Sequence, residues 1–438
     1  MTYEEAYQVL KNRAAFGIKP GLARMERLLA EAGHPERALP VIHIAGTNGK
    51  GSTLRMLSSV LMASGYRVGA MTSPALSHYL DQLSINHLPI EEDTFADIVA
   101  EGEALASRLN WEDIGEPTEY EMLALVFFMW MADEGAVDVL LVETGLGGRL
   151  DMTNVVDPIL SIITTVGLDH EAILGHTIQA IASEKAGIIK LNRPVISGVL
   201  EPEASNVIRQ KAAQMNSVLL EIGHFFSVKK AAKHKEGVTF TYKSDQAQDE
   251  KSYVVGMHGL YQAHNASLAV TAARYLLNKT DFTNISERSI ESGLQHVSWP
   301  GRFERLLNEP ALYLDGAHNP PAAKALVETI QAIWPNQPVR MLVAVFADKQ
   351  IDAMLDVFKP LKGELILTTF SHPRAINQDD LEAVGARANV AVATKWRDVL
   401  RRWFQEPGAP MIVTGSLTFV QEVREGIHEI QQEKSSKE

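Results

Sequence analysis

The sequence contains no cysteine. Disulfides, thiolate nucleophiles and Cys-ligated zinc are therefore excluded. No Lys/Arg block stands out, and the net charge is -13. Duplex binding needs a basic stripe to displace counterions, so nucleic acid is not an expected partner. A small acidic substrate stays compatible, because a local basic pocket can sit in an acidic protein. Long apolar runs are missing too. The longest, Met122 to Ala132, is too short to span a bilayer, and the N-terminus has no signal-peptide core. These absences point to a soluble intracellular protein, most simply cytoplasmic, with no membrane partner; a monomer is expected. What is present is a 46% hydrophobic, 22% charged chain of 438 residues. That balance folds throughout, and the length favours two or three domains.

One stretch organises the chain: Val41-Ile42-His43-Ile44-Ala45-Gly46-Thr47-Asn48-Gly49-Lys50-Gly51-Ser52-Thr53. Its first five residues read as a buried parallel strand and Gly46 to Gly51 as a glycine-punctuated turn. Ser52 is then expected to cap a helix through Leu54, Met56, Leu57, Val60 and Leu61. A strand feeding a glycine loop into a helix N-terminus gathers backbone N–H groups, the helix dipole and one ammonium, Lys50, around a point. That arrangement binds phosphate. The pattern departs from Gly-x4-Gly-Lys-Ser/Thr, because Ile44 occupies the first glycine position and Gly51 separates the lysine from the hydroxyl.

Along the chain the same device recurs. Phe16-Gly17-Ile18-Lys19-Pro20-Gly21 breaks an early helical region. A strand Tyr66 to Met71 ends at Thr72-Ser73-Pro74, and a helical region spans Glu91 to Leu109. Pro117-Thr118-Glu119-Tyr120-Glu121 heads the apolar helix. Strand Val137 to Val142 delivers Glu143 and a loop to Asp151. Strand Ile159 to Val166 delivers Gly167-Leu168-Asp169-His170, and helix Thr177 to Ala186 carries Lys185. Groups at the carboxyl ends of parallel strands face the ligand crevice of an open α/β sheet. From Val218 to Val255 the period shortens toward two, predicting a small antiparallel appendage. Gly259 to Asn265 opens a helix. His296 to Arg302 reads as a linker. Beyond it strands Leu312 to Asp315, Met341 to Phe346, Glu364 to Thr369, Val390 to Thr394 and Met411 to Gly415 alternate with helices, a second doubly wound domain. Only Gln431 to Glu438 reads as a disordered tail. The expected division is 1–297 and 298–438.

Ser73, Glu143 and His170 form a candidate Mg2+ set at one crevice, since that hard cation takes carboxylate, hydroxyl and occasional imidazole ligands alongside phosphate oxygens. Each has an ordinary alternative: Ser73 capping a turn, Glu143 pairing with Arg149, His170 hydrogen-bonded in its loop. Gly145 to Gly148 lacks a lysine or hydroxyl in position and reads as a flexible loop presenting Arg149 and Asp151. Asn278-Lys279-Thr280-Asp281 matches a guanine-recognition signature but ends a helix. Asp315-Gly316-Ala317-His318-Asn319-Pro320 follows a strand and opens a helix, clustering carboxylate, imidazole and amide groups as a second candidate site.

Together these residues resemble the folylpolyglutamate synthase/dihydrofolate synthase family of the Mur ligase superfamily. The resemblance rests on Gly46 to Ser52, Thr72 to Pro74, Glu143 to Asp151, Gly167 to His170, Glu184 to Ile188, Pro300 to Arg302 and Leu314 to Asn319, in family order over nearly the whole chain. It implies an α/β protein: an N-terminal P-loop ATPase domain with a mostly parallel sheet, and a C-terminal Rossmann-like domain closing over a cleft. It implies ATP-dependent ligation of L-glutamate to a folate or dihydropteroate carboxylate through an acyl phosphate. Thr47, Asn48, Gly49, Lys50, Gly51 and Ser52 would hold ATP phosphates, with Asn265, Arg302 and Asp315 as further ATP contacts. Ser73, Glu143 and His170 would hold two Mg2+ ions, and Lys185 resembles a lysine that becomes carbamylated. Thr118, Tyr120, Leu150, Asp151 and Met152 resemble pterin-site residues; His318 and Ser416 are candidates for the glutamate pocket. Two departures bear on the folate side: Ala75 follows Pro74 where the family has histidine, and Asp81-Gln82 stands where it has Glu-Arg. Rival readings are another Mur-type amino-acid ligase and a non-catalytic ATP-binding regulator.

Overall fold

The computed structural model describes residues 1–17, 19–75, 78–135, 137–245, 249–406 and 408–435. Two compact units emerge: residues 1–228 with 242–251 and 264–296, and residues 229–241 with 252–263 and 297–438.

The first unit is built on an eight-stranded sheet. Its strands are β1 (Val41–Ala45), β2 (Val68–Met71), β3 (Leu83–Ile85), β4 (Leu88–Pro89), β5 (Val139–Glu143), β6 (Leu160–Ile163), β7 (Val195–Ser197) and β8 (Leu219–Glu221), in the order β4-β3-β2-β5-β1-β6-β7-β8. β2, β5, β1, β6, β7 and β8 run parallel, and β3 and β4 fold back antiparallel at one edge. β1 lies inside the sheet and every one of its residues is buried. A strand covered by helices on both faces has no solvent side, which is why four of its five residues are apolar. The helix Glu119–Asp133 shows the same logic, being buried continuously from Glu121 to Met131. Because β1 sits between β5 and β6, the chain segments that follow β1, β2, β5 and β6 emerge along one edge. The motifs quoted above lie on those segments.

Several expectations change. The helix after the phosphate loop spans Lys50–Ala63, with Gly49 as its N-cap at φ 85. Ser52 therefore lies in the first turn instead of capping it. A left-handed cap suits glycine and leaves no cap role for the hydroxyl. β8 joins the main sheet, so the appendage begins only at β9 (Phe226–His234), followed by β10 (Gly237–Ser244) and β11 (Asp249–Val255) in the order β11-β10-β9. The short link between β9 and β10 can join only antiparallel neighbours. Lys229, Lys230 and Lys233 on β9 and Lys235 beyond it are exposed, a local basic row that the sequence reading passed over. Exposed lysines on an edge strand oppose further strand pairing.

The second unit carries a six-stranded sheet: β12 (Arg302–Leu307), β13 (Leu312–Asp315), β14 (Val339–Val343), β15 (Gly363–Thr368), β16 (Ala391–Ala393) and β17 (Met411–Thr414), in the order β12-β13-β17-β14-β15-β16. β12 is antiparallel to β13 and the other pairings are parallel. The sequence missed β12, whose irregular register blurs its alternation. Apolar cores cover both faces of this sheet, one around Leu326, Met354 and Ile412, the other around Trp403, Phe419 and Val423. The last helix, Leu417–Ser435, continues through most of the segment read as a tail; residues 436–438 lie outside the described residues, as does Ile18 of the early break. Among the described residues no helix is long and apolar enough to cross a membrane.

Candidate active site

The phosphate loop is held from below by the end of β6. Thr47 N donates to Thr165 O at 2.9 Å, Asn48 N donates to Thr165 Oγ1 at 3.0 Å, and Thr164 Oγ1 donates to Asn48 O at 2.6 Å. Thr47 Oγ1 and Gly167 exchange two hydrogen bonds. A Cβ on Gly46 would strike Thr164, and one on Gly49 would strike Asn265 Oδ1. The glycines at these positions therefore serve close approach as well as turn geometry. Asn265 stands in the helix Gln262–Lys279 and is buried against the loop.

Lys50 closes the loop. Its Nζ donates to Gly46 O at 3.1 Å and lies 3.8 Å from Glu143 Oε1. Glu143 is the last residue of β5 and is buried, and its Oε2 accepts from Ser73 N at 3.4 Å. Glu143 thus meets Lys50 and Ser73, while Arg149 pairs with Glu184 at 2.7 Å. His170, with φ 52, caps the short helix Glu171–Leu174 after β6 beside Asp169. Ser73 and Glu143 offer hard oxygen donors next to a phosphate loop, a set whose chemistry suits Mg2+. Among the described residues no three His, Asp or Glu side chains gather as a preformed metal site. An ion there would draw remaining ligands from phosphate and water. Lys185 is buried at 3% exposure, and burial, with Lys50 adding, brings its ammonium down to about 7.

The loop from Thr144 to Asp151 is packed, not flexible as its composition suggested. Arg149 N donates to Glu184 O at 2.7 Å. A Cβ on Gly148 would meet Glu184 O at 2.8 Å, so the backbone there lies directly on the helix Ile178–Ala186. Asp151 is buried; Oδ2 accepts from Leu146 N at 2.7 Å and Oδ1 from Thr153 N and Thr153 Oγ1. Burial raises its carboxyl, against the pull of those donors. Gly145 leaves room for the ring of Tyr120, which burial, with Asp151 adding, pushes far up. Thr118 caps its helix and donates to Glu121 Oε2 at 2.8 Å. Glu121 pairs with buried Arg24 at 2.9 Å. Gly21 N donates to Leu150 O at 3.2 Å, and Met152 and Tyr120 pack on one apolar core. Tyr120 thus lies near Asp151 and on the same core as Met152, with Thr118 capping the helix that carries Tyr120 and Leu150 preceding Asp151. Gln82 is buried, its amide donating to Tyr79 O at 3.1 Å, and its own carbonyl accepts from Thr72 N. It braces the turn that leads to Ser73.

In the second unit Asp315 ends β13, buried. Oδ1 accepts from Ala317 N at 2.9 Å, and Oδ2 from Phe303 N at 2.9 Å and Tyr261 Oη at 2.5 Å. Phe303 has φ 50 at a register shift in β12, next to Arg302. Burial raises the Asp315 carboxyl, with Tyr261 and Arg302 opposing. His318 Nδ1 donates to Gly316 O at 2.8 Å, and Asn319 caps the helix Pro320–Ile333. Ser416 follows β17, and its hydroxyl is buried without a hydrogen-bond partner. In the parallel sheet β17 adjoins β13, so Ser416 and His318 emerge from neighbouring strands.

Sequence reasoning missed Thr164, Thr165, Arg24 and Tyr261, and the pairing of Glu121 with Arg24. The two threonines end a recognised strand and could have been flagged by that position. The buried Arg24–Glu121 pair joins distant segments and left no local signal.

The sequence profile of the Mur ligase middle domain matches residues 44–273, and that of the Mur ligase glutamate ligase domain matches residues 301–417. The fold and the loop-bearing sheet are thus those of a Mur-type ligase. A dihydrofolate synthase/folylpolyglutamate synthase of Bacillus subtilis is 35% identical, with 96% of this chain and 98% of that protein covered. A folylpolyglutamate synthase structure from Thermotoga maritima matches with a TM-score of 0.82 at 32% identity, covering 97% of this chain and 96% of that one. An FPGS–AMPPCP–folate complex matches with a TM-score of 0.84 at 30% identity, covering 98% and 100%. The chain belongs to the folylpolyglutamate synthase/dihydrofolate synthase family.

Proposed function

We propose that this chain joins the amine of L-glutamate to a folate-type carboxylate, that of dihydropteroate or a reduced folate, with ATP converted to ADP and phosphate. A carboxylate is a poor acyl donor until one oxygen becomes a leaving group. Transfer of the γ-phosphoryl group from ATP gives an acyl phosphate, and the neutral amine of glutamate displaces phosphate to form the amide. The observation that carries this reading is the phosphate loop closed by Lys50 beside Glu143, in a chain whose family joins glutamate to folates.

The domain division 1–297 and 298–438 remains part of this reading. Thr47, Asn48, Gly49, Lys50, Gly51 and Ser52 cradle the phosphates, with Asn265, Arg302 and Asp315 completing ATP binding. Ser73, Glu143 and His170 would hold two Mg2+ ions, which would supply charge neutralisation for the transferring phosphoryl group. Lys185, as a carbamate, would supply an anion to the site. Its depressed affinity for a proton supports this, because only a neutral amine takes up CO2. Thr118, Tyr120, Leu150, Asp151 and Met152 form the acceptor wall, and His318 and Ser416 receive glutamate. The enzyme acts as a monomer in the cytoplasm, on small molecules alone. ADP release should require both L-glutamate and a pterin acceptor, with dihydropteroate and tetrahydrofolate assayed separately. ADP release unaffected by any pterin would overturn the reading.

A further inference from the structure

His43 stands on β1, three residues before the phosphate loop, yet no step above uses it. It is fully buried, as is Thr153. His43 Nε2 lies 2.8 Å from Thr153 Oγ1, and Thr153 Oγ1 lies 2.5 Å from Asp151 Oδ1. The direction of the chain follows from what each atom can do. The Asp151 carboxylate takes two backbone N–H groups, which favours its ionised, accepting form. The single Thr153 proton therefore goes to Asp151, and the threonine oxygen must accept from His43. Histidine then carries its proton on Nε2, leaving Nδ1 with a lone pair. That nitrogen is buried without a hydrogen-bond partner.

An apolar side chain would fill the same space in the sheet without stranding a polar atom, so packing alone does not account for the histidine. What histidine adds is a donor to the free side of the Thr153 hydroxyl. A hydroxyl rotates to suit its neighbours. With His43 donating to it, only the rotamer aimed at Asp151 satisfies all three groups. We infer that His43 and Thr153 are positioning residues for the acceptor side of the reaction, a buried hydrogen-bond chain from β1 that fixes the orientation of the Asp151 carboxylate. This rests on the reading of Asp151 as part of the acceptor wall. It ties the strand carrying the phosphate loop to the loop facing the acceptor through two side chains.

The test is steady-state ADP release by the full-length enzyme, with KM measured separately for the pterin acceptor, ATP and glutamate. Thr153→Val removes the hydroxyl at nearly constant shape and should raise acceptor KM about tenfold, the effect of one hydrogen bond to a charged group. ATP KM should stay within about twofold, and Thr153→Ser should restore most of the acceptor affinity. His43→Leu, which fills the core without a donor, should shift acceptor KM in the same direction. An unchanged acceptor KM in Thr153→Val overturns the inference, as does a parallel rise in ATP KM or failure of serine to rescue. If Thr153→Val does not fold, His43→Leu decides by the same criteria. Asp151→Asn separates the two levels. If it raises acceptor KM while Thr153→Val and His43→Leu do not, the chain alone is rejected. If it leaves acceptor KM unchanged, the acceptor wall and the inference fall together.

Discussion

Gly49 and Asn265 lie so close that a single methyl group on the glycine would overlap the asparagine amide oxygen. Gly49 also sits at φ 85 as the cap of the phosphate-loop helix. Gly49→Ala therefore meets two costs, about 1 kcal/mol or more of backbone strain and displacement of Asn265. We expect ATP KM to rise at least tenfold. A normal ATP KM for Gly49→Ala would show that the loop does not carry the nucleotide.

Lys50→Ala should abolish ADP formation and leave the melting temperature within a few degrees of wild type. The side chain is partly solvated and holds only a 3.1 Å bond to Gly46 O and a 3.8 Å approach to Glu143, whereas charge moving during phosphoryl transfer depends on a fixed cation. Turnover above about a tenth of wild type would contradict the assignment.

Glu143→Gln keeps volume and removes one negative charge from a buried position beside Lys50 and Ser73. A divalent cation held as proposed would lose an anionic ligand there. The Mg2+ concentration for half-maximal activity should rise by roughly an order of magnitude. An unchanged Mg2+ titration would leave Glu143 as a structural acid.

Lys185 is a case in which the sign of a pH effect can be fixed. Its proton affinity falls on folding, to about 7, through burial and then Lys50. The unfolded chain therefore binds more protons than the folded one between that value and the ordinary lysine range. Stability contributed at this site rises with pH across that window, and the buried ammonium is most costly below it. Lys185→Met should thus melt higher than unmodified wild type at pH 6, with the gap narrowing toward pH 9, while its activity is lost. Wild-type activity should recover with bicarbonate after acid treatment. Failure of bicarbonate to restore it, with no added mass on Lys185, would reject carbamylation.

Much of this was legible in the chain. β1 was readable because a strand covered on both faces is mostly apolar, four of its five residues here, and the phosphate loop because its glycines and lysine fall within one six-residue stretch. Ser73 and Glu143 were readable as residues at the carboxyl ends of strands, while His170 lies seven residues beyond β6. Ser52 was misplaced because the left-handed turn at Gly49 starts the helix earlier than a hydroxyl cap would. β8 was misassigned because a three-residue strand has too few positions to show either period, and β12 was hidden by its register shifts. The contacts of Arg24 with Glu121 and of His43 with Thr153 join residues far apart in sequence. No local pattern encodes them.

The hydroxyl of Tyr261 gives a last prediction. It donates to Asp315 Oδ2 at 2.5 Å, on the same oxygen that accepts from Phe303 N at 2.9 Å. Phe303 is the left-handed residue of the bulge in β12, and a bulge re-aims its neighbour, here Arg302. Tyr261→Phe should therefore do two things. It removes a hydrogen bond to a charged group, about 1.5 to 3 kcal/mol, and it loosens the bulge, raising ATP KM severalfold if Arg302 contacts the nucleotide. The Asp315 carboxyl is already raised by burial, with Tyr261 opposing. A raised carboxyl binds its proton more tightly folded than unfolded, so stability falls as pH rises from the ordinary aspartate range through the folded value. Removing Tyr261 lifts that value further and widens the window. The melting-temperature deficit of Tyr261→Phe should be larger at pH 7 than at pH 4.5. A deficit independent of pH, with ATP KM unchanged, would make Tyr261 a packing residue and detach Asp315 from the nucleotide.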